Sequence, residues 1–236
     1  MFVALWLGFA LLPETHIVLR VPAAIVLAGF VGIGAQLGLG GATSEHPLRL
    51  TTAWVNPAGS VLAIVGWLSV VGERSWAIGP IAAAGVVGTV CLQAVEMGGT
   101  GPIRSAAHVV NIGAGFAVAF AGYTLAARAS AHVAPAIVFV LSAAITLVVL
   151  RDQPAVGRQA CILALVSALA TVELWWVLHA SPVPPLVFSA VLVLGLYATS
   201  GLCHAILDEA PVHAYVEIGV VTLVSLGVVL IAGARA

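Results

Sequence analysis

Residues Ala160 to Leu178 read ACILALVSALATVELWWVL, a run in which Glu173 is the one charged side chain. About twenty apolar residues in a helix cover the ~30 Å hydrocarbon core of a bilayer. The run is too long and too continuous for a strand of a membrane barrel, which needs only about ten residues of alternating polarity. It predicts a membrane-crossing helix over 158–180. Glu173 falls about a turn past its middle, where a carboxylate is costly and usually lines a cavity or relays protons. Glu173 is therefore the intramembrane polar or proton-path candidate, and the plainer alternative is a protonated acid hydrogen-bonded to a neighbouring helix.

The rest of the chain repeats this pattern. Seven further apolar stretches, about 22–40, 53–72, 77–97, 105–127, 133–150, 185–207 and 212–233, bring the expected number of spans to eight. Residues 2–18 form a ninth, short helix or an interfacial segment broken near Pro13. They lack a positive amino-terminal region and a small-residue cleavage site, which reads as retained membrane structure and not a signal peptide. Between the spans lie GATSEHPLR, GERS, GGTGPIR, ARASAH, RDQP, HASPVPP and LDEAP, which gather the glycines, prolines and rare charges that suit helix ends. Trp54, Trp76, Trp175 and Trp176 are expected as interfacial anchors.

Composition agrees. The chain has 236 residues, 62% hydrophobic and 7% charged, with mean hydropathy +1.18. A soluble domain carries about a quarter of its residues as charges, so this chain cannot clothe a water-facing surface. A backbone in lipid must satisfy its own hydrogen bonds, which makes the fold all-α. A net charge of −1 and the absence of a basic run exclude nucleic-acid binding. There is no lysine, which excludes a retinal Schiff base. Cys91, Cys161 and Cys203 sit inside apolar segments and read as buried hydrophobes. Orientation stays open, because Arg49, Arg104, Arg151 and Arg158 on one side balance Arg20, Arg74, Arg128 and Arg235 on the other.

The two halves resemble each other in order. VPAAIVLAGF from Val21 matches APAIVFVLSA from Ala134, and CLQAVE from Cys91 matches CHAILD from Cys203. HVVNIGAGF from His108 matches HAYVEIGVV from His213, and GYTLAARA from Gly122 matches GVVLIAGARA from Gly227. Residues 21–129 and 134–236 would then be two four-helix repeats, preceded by the segment 1–20, within a single membrane domain 1–236. An even number of spans per repeat makes the repeats parallel.

The polar residues cluster at two corresponding hairpins. Ser200, His204 and Asp208 share a helix face, and His213 and Glu217 share the next. Glu96, His108 and Asn111 occupy the first hairpin. His and carboxylate one turn apart can chelate a metal, so His108, His204, Asp208, His213, Glu217 and Glu96 are candidate ligands for zinc or another divalent ion. Polar residues also collect at helix ends simply because the interface is where they cost least. Ser200-x3-His204 resembles one element of the seven-helix zinc-dependent membrane hydrolases. There it comes early and is completed by a late H-x3-H, which this chain lacks. A two-haem pattern, His108 with His204 and His132 with His179, is disfavoured because His132 and His179 adjoin Pro135 and Pro182.

Two functions follow. One is a small transporter or a membrane subunit of a larger assembly, integral to a cell membrane, with lipids, other membrane subunits or further copies of itself as partners. The other is a metal-dependent, hydrolase-like membrane enzyme acting on a lipid or isoprenoid.

Overall fold

The computed structural model describes residues 17–39, 52–62, 75–127, 131–151 and 157–233. Apart from short turns these residues are helical, and there is no strand among them. In chain order the helices are α1 (Ile17–Leu39), α2 (Ser75–Gly98), α3 (Gly101–Ala126), α4 (Ala134–Leu150), α5 (Gly157–His179), α6 (Pro185–Leu207) and α7 (Val212–Gly233). Residues 55–62 add a helical segment between α1 and α2. The short N-terminal helix expected over 2–18 lies outside the described residues, save that Ile17 and Val18 begin α1. Four of the described helices, α3, α5, α6 and α7, are long and apolar enough to cross a membrane.

The chain divides into two compact units, Met1–Val118 and Ala119–Ala236, with the division inside α3. In the second unit α4, α5 and α6 pack on one another, and α7 packs on α6. The reason is visible on α5. Its buried face is Ala160, Ala164, Ser167, Ala168, Thr171 and Trp175, mostly small residues. Small residues let helix backbones approach closely, the chief source of packing energy between apolar helices in lipid. Its exposed face carries Ile162, Leu165, Val166, Leu169, Trp176 and Val177. Large side chains outside and small ones inside invert the arrangement of a soluble core.

Hydroxyls stitch these helices together. Thr199 donates to the Gly195 carbonyl at 3.0 Å, which leaves its oxygen to accept from Ser167 at 2.8 Å. Thr146 in turn donates to Ser167 at 3.1 Å, so a directed chain runs from α4 through α5 to α6. Ser142 donates to the Val138 carbonyl, and the Tyr123 hydroxyl donates to Ser142 at 2.6 Å.

Trp175 departs from its expected role as an anchor. It is fully buried, with its ring stacked on His179 at 4.6 Å and 13° between planes. Its place follows from helix phase, since it continues the stripe of Ala164, Ala168 and Thr171. Its neighbour Trp176 points outward and is 52% exposed.

Candidate functional site

The site lies in the first unit, where the helical segment 55–62, α2 and α3 meet. The turn between α2 and α3 is only two residues long, and glycine makes it possible. Gly99 donates to the Val95 carbonyl at 2.7 Å, and a Cβ there would stand 2.5 Å from that oxygen. Gly101 has φ +57°, the left-handed region that L residues enter only at a cost. Pro102 then occupies the first turn of α3, where its missing N–H costs nothing.

Side chains on a helix tilt toward its N-terminus. Glu96, near the end of α2, therefore leans away from the turn, while His108 and Asn111 on α3 lean back toward it. They meet. His108 Nδ1 lies 2.9 Å from Glu96 Oε1, and Asn111 Nδ2 donates to Glu96 Oε2 at 2.8 Å. Asn111 Nδ2 also donates to Gln93 Oε1, one helical turn before Glu96. From the other side Asn56 Nδ2 donates to the Asn111 backbone carbonyl at 2.8 Å and to Asn111 Oδ1. Asn56, Gln93, Glu96 and Asn111 are all within 1% of full burial. His108 is the outermost member, with 15% of its side chain exposed.

At 1.5 Å per residue, Asn111 stands about 15 Å along α3 from the turn and His108 about 10 Å. The cluster is thus a column of hydrogen bonds between the turn and the middle of α3. Both carboxylate oxygens of Glu96 are used, which is what a buried acid requires. The Asn56 Oδ1 atom is buried and has no hydrogen-bond partner among the described residues. Beside the cluster, Trp54, Ala58 and Leu62 line an apolar groove of about 450 Å³ with Ala28, Gly32 and Gln36 of α1.

The second hairpin is built differently. Its turn ends α6 with Ala210 N–H on the Ala205 carbonyl at 2.9 Å and Glu209 N–H on the Ile206 carbonyl at 3.3 Å. Glu209 takes φ +50° at the position glycine usually fills. His204 Nδ1 and Asp208 Oδ2 stand 3.8 Å apart, too far for a hydrogen bond, with side chains 38% and 53% exposed. His213 and Glu217 are exposed, with no hydrogen bond or ion pair among the described residues. Of the six candidate metal ligands, then, the structure brings Glu96 and His108 into contact and sets His204 near Asp208. Among the described residues no three His, Cys, Asp or Glu side chains are grouped closely enough to hold a metal ion. Glu173 projects from the exposed face of α5 and makes no hydrogen bond or ion pair among the described residues.

Sequence reasoning named Glu96, His108 and Asn111 but passed over Gln93 and Asn56. Their signal was present: Gln93 stands three residues before Glu96 on the same helix face, and Asn56 is an amide inside an apolar run just before Pro57.

Residues 3–232 match the family described as "Protein of unknown function (DUF5656)". No curated protein and no solved structure matches the chain.

Proposed function

Since the chain belongs to that family of unknown function, its own residues must supply the reading, and we propose that it is a small multi-pass membrane transporter whose proton- or cation-handling element is the Glu96 cluster. The observation that supports this most is a carboxylate in an apolar bundle, bonded on one oxygen to a part-exposed imidazole and on the other to a buried amide. Glu96 and His108 can pass a proton between them, and His108 is the member that reaches the surface. Buried ionisable groups in membrane bundles mark ion and proton pathways more often than they mark stability.

A parallel duplication would give a reason for two such hairpins with different chemistry. In the proposed alignment Glu96 corresponds to Asp208 and His108 to His213, while Gln93 and Asn111 correspond to Ala205 and Val216. The second copy keeps ionisable residues near its turn but lacks the two amides that would bury them. On this reading one copy retains the working site and the other supplies scaffold.

The test is proton flux into proteoliposomes holding the purified full chain and a pH-sensitive dye, driven by a valinomycin-set potassium potential. Wild type is expected to carry flux above empty liposomes. Glu96→Gln and His108→Gln should reduce it at least tenfold while the proteins stay monodisperse. Flux at the empty-liposome level in wild type, or undiminished flux in both variants, would remove the cluster from this role.

A further inference from the structure

The outer face of α5 has a register of its own. Gln159, Ile162, Val166, Leu169, Glu173 and Trp176 are all exposed, and they are spaced alternately three and four residues apart. That is a heptad seam, the spacing by which two helices supercoil around each other with side chains interleaved. Glu173 sits on this seam, five residues past the helix midpoint and so about 7 Å toward its end. In a membrane this leaves a carboxyl group in hydrocarbon with no partner among the described residues. Polar groups in that position drive helices together.

We propose that this seam is the interface of a symmetric dimer, in which Glu173 of one protomer hydrogen-bonds with Glu173 of a second copy. A second copy is the occupant the geometry favours. Copies inserted with the same topology place Glu173 at the same depth, and a two-fold axis along the membrane normal sets the two α5 helices parallel and in register. The match is self-complementary, as an isologous interface requires. When one of the two carboxyls carries a proton it donates and the other accepts, a bond that a lone carboxylate cannot make. A different protein would need its own donor at that depth beside a matching apolar stripe.

The full chain in liposomes, at a series of protein-to-lipid ratios, tests this by disulfide cross-linking. Leu169→Cys is placed in a Cys91→Ala, Cys161→Ala background, and the same background without Leu169→Cys sets the baseline. Leu169→Cys should trap a dimer, and Val224→Cys on the exposed surface of α7 should not. Adding Glu173→Leu, which suits a lipid-facing helix position, should lower the trapped fraction by about three- to twenty-fold, the range measured for hydrogen bonds between helices in membranes. Glu173→Gln, which keeps a donor and an acceptor, should hold it within about twofold. A chain that stays monomeric at every ratio overturns the proposal. So does trapping that is equal at Val224→Cys, or a dimer that is indifferent to Glu173→Leu.

Discussion

Asn111→Leu probes the polar cluster most directly. Leucine keeps the branch at Cγ, so the shape changes little and the hydrogen bonds are what is removed. Three are lost: the two that Asn111 Nδ2 donates to Glu96 Oε2 and Gln93 Oε1, and the one its Oδ1 accepts from Asn56. Glu96 keeps its contact with His108 at 2.9 Å, so the carboxylate is not stranded. Hydrogen bonds between helices in membranes average about 0.6 kcal/mol each and reach about 1.7. Three of them put the loss at about 2–5 kcal/mol, large beside the ~5–15 kcal/mol of a typical fold. The measurement is reversible unfolding in mixed micelles. Val110→Leu, on the same helix at a position 52% exposed, serves as the control and should stay within about 0.5 kcal/mol. A cycle with Asn56→Ala should return a coupling of about 0.5–2 kcal/mol, because the two residues share a bond. A loss for Asn111→Leu no larger than the control's, or zero coupling to Asn56, would refute the idea that these bonds hold the three helical segments together.

Further outcomes are expected from the same assay. Glu209→Gly should stabilise the chain by about 0.5–1 kcal/mol, since glycine relieves the left-handed cost at φ +50° and gives back part of the gain as backbone entropy. Gly101→Ala should do the opposite, costing about 1 kcal/mol at φ +57°. Ser167→Ala interrupts the hydroxyl chain between Thr146 and Thr199 and should cost about 1 kcal/mol.

Helix positions were legible because apolar length is a local property. The spans expected at 185–207 and 212–233 coincide with α6 and α7, and that at 158–180 with α5 to within a residue. The start of α3 shows where local reading stops. The expected span begins at 105 because Gly101 to Arg104 hold the glycine and proline of a helix end, yet they form the first helical turn, where proline is welcome. The site was legible only in part. Glu96 and His108 stand in the positions any interfacial turn would give them, and nothing local distinguishes a buried pair from a wet one. The distinction comes from Asn56, 55 residues before Asn111, closing the cluster from a third helical segment. For Glu173 the expectation of a cavity-lining or helix-bonded acid needed knowledge of helix phase. The small-residue stripe of Ala164, Ala168 and Thr171 fixes that phase and turns Glu173 outward.

α7 has no buried residue along its length. Its chief contact is with α6, so its docking is separable from the packing among α4, α5 and α6. Premature chains that end after α6 would already hold the contacts among α4, α5 and α6. Docking of α7 thus becomes a natural late step in building the second unit.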